Sequence, residues 1–487
     1  MNASILALLP AIFSLLIYLF GSLKIEGSIR ARFKLPLTLE VKVLYLLGVF
    51  LPVILLPFSQ GGVVGGYSRL LGIEVDLDSI TFLFLIAELT VFSMSSLYVV
   101  TYATEWRKLS LLLLMHSGLI GAFISKDLFN FYVFMELSAI SSFALIASSK
   151  EKGSYKAAYN YLLLSMTASY LLVLSLGMIY FSTGTLNVKL AQGREVPRIA
   201  VLIASLALSL KSGIFPLHIW LPDAHSKADT YLSAILSGIA VKAPVYGLVL
   251  LSYLADLSFL RPLAMMSMIF GVVLAMVQVN AKRVLAYHTV SQMGYVLLAI
   301  SYNNPYAAAI YSFAHAIFKS GLFLSIGALV DARKRKELNY LGCRNCYILL
   351  ITVAILSLSI AGFGITVGGV AKEILSKATK EEALIYGVSL GTAFSFAKLN
   401  YYLWKGYGHK PSVKRVIPSL VLSLIALGMG IMWNGTPSYK DVLIPLGFVL
   451  FLLAKDYVPK RDYIIRVEPN YGVALLVLLI SLFSIIT

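Results

Sequence analysis

The sequence predicts an all-α polytopic membrane protein of about 14–16 transmembrane helices, with two inverted five-helix repeats that each contain a broken helix. Three observations predict this. The 487-residue chain is 59% hydrophobic and only 13% charged, about half the charge of an ordinary soluble domain. Apolar runs of roughly 20 residues, the length that crosses a bilayer, recur from end to end. Buried charges and helix-breaking residues also recur twice in the same order.

Sixteen candidate spans lie at about 3–22, 42–58, 78–103, 109–125, 127–149, 155–181, 199–221, 229–255, 260–280, 284–302, 305–330, 347–376, 384–404, 416–433, 441–454 and 470–486. The first lacks a basic flank and a small-residue cleavage site, so it is read as a retained helix and not a signal peptide. Of the 40 Lys and Arg, 26 fall in or beside the loops after odd-numbered spans, 9 in the others and five inside spans. By the positive-inside rule both termini lie outside and the DARKRKELNYLGCR loop lies in the cytoplasm of a cell membrane. The net charge of +17 is therefore topological and calls for no nucleic-acid partner. Cys343 and Cys346 form a lone CxxC, too little for a zinc or redox site. No phosphate-cradling glycine loop, metal-helix motif or nucleophile elbow occurs, so no cofactor and no catalytic site are expected.

The stretch Ile199–Tyr253 is the centre of the pattern. Lys211 and Lys242 sit inside apolar spans, where a lysine costs several kcal/mol unless paired, hydrated or deprotonated. Gly213 and Pro216 break the first of these spans, and irregular backbone at membrane depth is tolerated only when buried or lining a cavity. Earlier, Glu136 follows Asp127 by nine residues, about 13 Å along a helix and near mid-depth. Glu88 lies inside span three and His116 in span four. Span ten carries His288 and Gln292. Span eleven carries His315 and Lys319 one turn apart on a shared face. Span twelve is interrupted by Gly362, Gly364, Gly368 and Gly369, with Lys372 and Glu373 after them. Span thirteen carries Lys398.

Spans four to eight thus give a buried acid, a broken helix with a lysine, and a helix with a lysine. Spans nine to thirteen repeat this with a histidine in the acid's place. A five-span unit has an odd count, so the second copy inserts upside down, as in ion-coupled transporters. The organisation is 1–106, N-terminal helices; 107–256, the first repeat; 257–405, the second, inverted repeat; and 406–487, C-terminal helices.

DLFNFYVFMELSAIS, LKSGIFPLHIWLPDAH, RVLAYHTVSQMGYVLLA and HAIFKSGLFLSIGAL resemble, in order, signatures of the antiporter-like subunits shared by respiratory complex I, Mrp-type cation/proton antiporters and membrane-bound hydrogenases. The resemblance covers roughly residues 105–375. It departs at two helix breaks, where KADTYLSA and AGFGITVGG replace proline-bearing strings of the family. The short C-terminal region places the chain nearer the family's shorter members. The resemblance implies Glu136 as the carboxylate partner of Lys211, Lys242 as the second-helix lysine, His315 and Lys319 as a central relay, and Lys372 as the broken-helix lysine of the second half. His225, His288 and Lys398 are candidate entry or exit groups, and Gly213, Pro216, Gly364 and Gly368 are candidate helix breaks.

Burial lowers a lysine pKa by up to about 3–5 units and a nearby carboxylate raises it again, so such groups can exchange protons near neutral pH. The expected function is movement of H⁺, with Na⁺ as the alternative ion, along a mid-membrane line. The chain would act as a non-redox subunit among other membrane subunits of a respiratory, hydrogenase or Mrp-type complex in the lipid bilayer. The competing readings are a transport-inactive scaffold, an unrelated solute permease, and a membrane enzyme using His218 and His225. Lys398 could instead snorkel to the surface.

Overall fold

The computed structural model describes residues 1–22, 37–102, 105–457, 459, 462 and 468–486. The first basic loop, 23–36, lies outside these. Among the described residues every candidate span is helical or assembled from helical pieces, and eleven helices are long and apolar enough to cross a membrane unaided. The chain is a multi-pass membrane protein.

Three helices lead in: α1 (Ser4–Ser22), α2 (Leu37–Leu55) and α3 (Ser79–Val99). The first repeat comprises α4 (Trp106–Ile124), α5 (Leu128–Ala147), α6 (Ser154–Thr183), the broken pair α7 (Arg198–Lys211) and α8 (Leu221–Lys227), and the interrupted pair α9 (Thr230–Ile235) and α10 (Lys242–Ser252). The second comprises α11 (Arg261–Met276), α12 (Ala281–Ser301), α13 (Pro305–Arg333), the broken pair α14 (Tyr347–Ala361) and α15 (Val367–Thr379), and α16 (Glu382–Lys405). Then follow α17 (Val413–Met432), α18 (Leu443–Ala454) and α19 (Pro469–Ile486).

The inversion is visible in the backbone. Asp127 caps the N-terminus of α5 by accepting from Phe129 and Asn130 amides, and its segment pairs antiparallel with Asn187. Leu128 N donates to Leu186 O and Val188 N to Lys126 O, both at 2.9 Å. In the second repeat Asn280 caps α12 through Arg283 N and pairs antiparallel with Glu337. Ala281 N donates to Lys336 O at 2.8 Å and Leu338 N to Val279 O at 3.0 Å. The same paired segments recur, separated by five crossings, and so lie on opposite faces. The Asp127 face holds the Lys126–Asp78 and Lys189–Asp76 ion pairs, and the Asn280 face holds Lys336–Glu151 and Lys108–Asp229.

Every residue of α12 is buried, and so is α13 from Ala307 to Val330. A helix surrounded on all sides needs no amphipathic stripe, and these two can carry polar side chains inward in every direction. Both breaks turn on a glycine at positive φ: Gly213 at 72° and Gly362 at 101°, a region open to glycine at little cost. Gly364 lies in the second break. Gly368 does not, contrary to the sequence expectation: it occupies the first turn of α15. A Cβ there would stand 1.9 Å from Ser359 O, so Gly368 serves close packing of α15 on α14.

Candidate functional site

Helix α7 stops at Lys211, and the turn after it leaves carbonyls without their usual amides. Trp220 Nε1 donates to Leu210 O at 2.9 Å, and Ile214 N to Ser209 O at 3.1 Å. Phe215 N donates to Ser267 Oγ of α11 at 3.1 Å, tying the break to the second repeat. With its backbone settled this way, the break presents the Lys211 ammonium to Glu136 Oε1 of α5 at 2.7 Å and to Ser165 Oγ of α6 at 2.9 Å. Ser169 Oγ donates to the same carboxylate oxygen at 2.7 Å. The negative end of the α7 dipole adds to the pull on the cation.

Beside Lys211 lies a small cavity of about 30 Å³, lined among others by Ser138, Ser142, Ser165, Ala240 and Val241. That is room for one or two waters next to polar partners. Two of its lining residues, Leu236 and Ala240, belong to the π-helical turn Leu236–Ala240, which joins α9 to α10. A π turn widens the helix by one residue and loosens its carbonyls. Ser237 O takes the Lys242 ammonium at 2.7 Å, and His315 Nδ1 of α13 makes a short contact with the same nitrogen. Either partner of that contact can hold the proton, since each nitrogen is a donor when protonated and an acceptor when not.

A polar seam continues to Lys319. Ser237 Oγ meets Thr289 Oγ1 at 2.7 Å, and Thr289 Oγ1 donates to Leu285 O at 3.2 Å. The Lys319 ammonium is hydrogen-bonded to that same carbonyl. His315 and Lys319 are fully buried on one face of α13.

In the second half Lys372, on α15, reaches back across the break. Its ammonium takes Ile360 O at 2.9 Å, Ala361 O at 3.1 Å and Ser389 Oγ of α16 at 2.7 Å, and lies 5.2 Å from the Tyr295 ring centroid. The first two are the last carbonyls of α14, so a helix C-terminus takes the place of Glu136. Lys398 does not snorkel. It is 1% exposed, held by Met276 O at 2.5 Å and Gln278 O at 2.7 Å at the end of α11. His288 is buried against Phe396, ring centroids 4.8 Å apart, within electrostatic range of Lys319, Lys372 and Lys398. Among the described residues no carboxylate pairs with Lys242, Lys319, Lys372 or Lys398, whereas Lys211 has one.

His225, expected at a cytoplasmic entry, is fully buried between Trp220 and Phe323, in electrostatic range of Lys242, Lys282 and Lys319. At Lys227, the last residue of α8, the chain meets a polar cavity of about 460 Å³ on the Asn280 face, lined also by Glu151, Asp229, Asp331 and further lysines. Lys282 stands in its wall and donates to Ala228 O at 2.9 Å. His218 is buried and stacks on Phe215, apart from His225's surroundings. Glu88 Oε1 and His116 Nδ1 pair at 2.7 Å between α3 and α4, against Phe92. Cys343 and Cys346 are joined as a disulfide. Among the described residues no group of three or more His, Cys, Asp or Glu could hold a metal. Sequence reasoning missed Ser165, Ser169, Thr289, Ser389 and Lys282. Serines carry no signal by themselves, and Lys282 reads as loop charge because it falls two residues before the apolar span at 284–302, although α12 already begins at Ala281.

Fold and site together define a class: polytopic membrane subunits that bury a row of protonatable side chains beside broken helices. A family model described as NADH:quinone oxidoreductase/Mrp antiporter, transmembrane, matches residues 125–395, more than half of the chain, and the chain belongs to that family. It is similar to an NADH-quinone oxidoreductase subunit of Desulforudis audaxviator, 33% identical over 45% of this chain and 48% of that one. It is also similar to a Na(+)/H(+) antiporter subunit of Alkalihalophilus pseudofirmus, 30% identical over 60% of this chain and 64% of that one. The matches thus span about half to two thirds of these relatives. In fold it is similar to a chain of the Mrp complex from Dietzia sp. (TM-score 0.79, 21% identity, 92% of this chain and 97% of that one). It is likewise similar to a chain of the archaeal membrane-bound sulfane sulfur reductase (TM-score 0.76, 23% identity, 94% and 99%).

Proposed function

We propose that this chain is an ion-translocating, antiporter-like subunit of a multi-subunit membrane complex, passing protons at mid-membrane along Glu136, Lys211, Lys242, His315, Lys319 and Lys372. One observation carries the reading. Lys211 is held between Glu136 and Ser165 at a helix break, and the cavity it lines is shared with Leu236, Ala240 and Val241 of the turn just before Lys242. When Glu136 is close, the Lys211 ammonium is stabilised. When the pair parts, the proton is free to pass through cavity water towards Lys242, and His315 and the Thr289 seam relay it to Lys319. His288 spans the next gap, to Lys372 and Lys398. The polar cavity on the Asn280 face, with Lys282 and His225 behind it, is the entry we favour, and the basic loops make that face cytoplasmic.

Ammonium and imidazole groups suit H⁺. A sodium ion needs carbonyl or carboxylate oxygens facing a common point, so Na⁺ belongs to another path or subunit. The driving event comes from partner subunits of a respiratory, hydrogenase or Mrp-type complex, a reading to which the respiratory and Mrp relatives and fold neighbours lend support. The test is transport by the purified complex in proteoliposomes. Lys211→Ala is expected to stop proton movement with all subunits still assembled. Unchanged proton transport in that variant would overturn the proposal and leave a scaffold.

A further inference from the structure

Between α14, α16 and α18 lies a cavity of about 540 Å³ that plays no part in the buried line. Its walls are Ala354, Ala361, Ala397 and Phe448, small and apolar, and its only polar floor is Ser357 with Asn400. Asn400 Nδ2 donates to Ser357 Oγ at 2.9 Å, while Asn400 Oδ1 has no hydrogen-bond partner among the described residues. Trp404 and Lys405 stand at the mouth, at the last turn of α16. That end belongs to the Asn280 face, because Gly406 O accepts from Arg344 N of the loop after α13 at 2.8 Å.

We propose that this cavity binds one acyl chain of an anionic phospholipid, with Lys405 taking the headgroup phosphate. Three observations favour that occupant. The volume falls within the range of small-ligand sites, whereas a partner helix about 10 Å wide crossing one leaflet would need roughly 1,000 Å³. The interior is apolar almost throughout, which suits a hydrocarbon chain. The mouth joins an aromatic residue to a lysine at the membrane boundary, the pairing that anchors headgroups. Trp404 and Lys405 are both exposed, and Lys405 makes no ion pair among the described residues; its ammonium rests 5.5 Å from the Tyr401 ring centroid. Phe396, in the inner wall, is the residue against which His288 packs, and Ala361 supplies a carbonyl to Lys372. The bound chain therefore backs the second-half site without entering it.

The test is native mass spectrometry of the whole complex, delipidated in mild detergent and given phosphatidylglycerol or phosphatidylcholine. The wild type is expected to retain one tightly held phosphatidylglycerol that Ala354→Trp, which puts an indole across the cavity, abolishes. Lys405→Glu is expected to keep a lipid but lose the preference for the anionic headgroup, by about fivefold or more. Equal retention in Ala354→Trp and wild type would overturn the site, and an unchanged headgroup preference in Lys405→Glu would overturn the role of Lys405. Should a cysteine at Ala397 cross-link to a neighbouring subunit in the intact complex, the cavity is a protein contact and the proposal fails.

Discussion

Lys211 and Lys372 solve one problem differently. Each must keep an ammonium inside hydrocarbon, at a cost of about 3 kcal/mol or more if unpaired. Lys211 uses the Glu136 carboxylate and a serine, while Lys372 uses two helix-end carbonyls and a serine. Removing a carboxylate is therefore expected to hurt only the first. Glu136→Gln is expected to cut proton transport below about a tenth of wild type, with Glu136→Asp retaining part, because the pairing needs charge more than length. Lys211→Arg is expected to fail as completely as Lys211→Ala, since a guanidinium does not release its proton. Proteoliposome transport rates across this series, at equal assembly on native gels, are the check. A transporting Lys211→Arg would remove proton exchange from Lys211.

At the scale of elements, breaks and caps set the geometry. Gly362 at φ 101° opens α14 from α15, and a Cβ there would also meet Lys372 Cδ at 2.8 Å. Gly362→Ala is expected to destabilise the protein by about 1–2 kcal/mol from the backbone alone and to displace Lys372. Gly177→Ala is the control, in the open interior of α6 with nothing within 4 Å, and thermal unfolding should show it neutral or stabilising. The start of α3 gives a second test. Asp78 caps it through Thr81 N and pairs with Lys126 at 2.7 Å. Burial pushes the Asp78 carboxyl up, but Lys126 and the hydrogen bonds from Thr81 together outweigh that and hold it below the usual carboxylate range. A depressed carboxylate stabilises above its unfolded pKa, and that stability is lost as pH falls through the folded pKa. Asp78→Asn, which still caps, is expected to lower Tm by about 1–3 °C at pH 7. The gap should begin to close as pH drops below about 4 and vanish below the folded pKa. A gap of constant size down to the acid end of the folded range would show the charge to be irrelevant.

For the whole molecule, the inverted repeat makes a topological prediction. Glu195 follows the Asp127–Asn187 pairing and Arg335 precedes the Asn280–Glu337 pairing, and both are exposed. With Cys343 and Cys346 replaced by serine, single cysteines at these two sites should react with a membrane-impermeant maleimide from opposite sides. The Glu195→Cys variant is expected to label in intact cells, and the Arg335→Cys variant only after permeabilisation. Labelling of both from one side would end the inversion, and labelling in the reverse order would reverse the positive-inside assignment.

The sequence by itself determined the class, the many-helix membrane architecture, the repeat and the buried charges. Each follows from a one-dimensional rule: a bilayer demands about 20 apolar residues, and a lysine inside such a run cannot be accidental. Gly213 and Pro216 announced their break because their backbone preferences are local. Only the tertiary structure decided what faces each charge. That Ser165 rather than another of the many serines meets Lys211, or that Lys398 turns inward to the end of α11, depends on helix rotation and packing. Apolar spans buried all round carry no periodicity to report that. The π turn before Lys242 and the close-packing duty of Gly368 were hidden for the same reason. Both lie where another helix packs close, Ser320 against Gly238 in one case and Ser359 against Gly368 in the other.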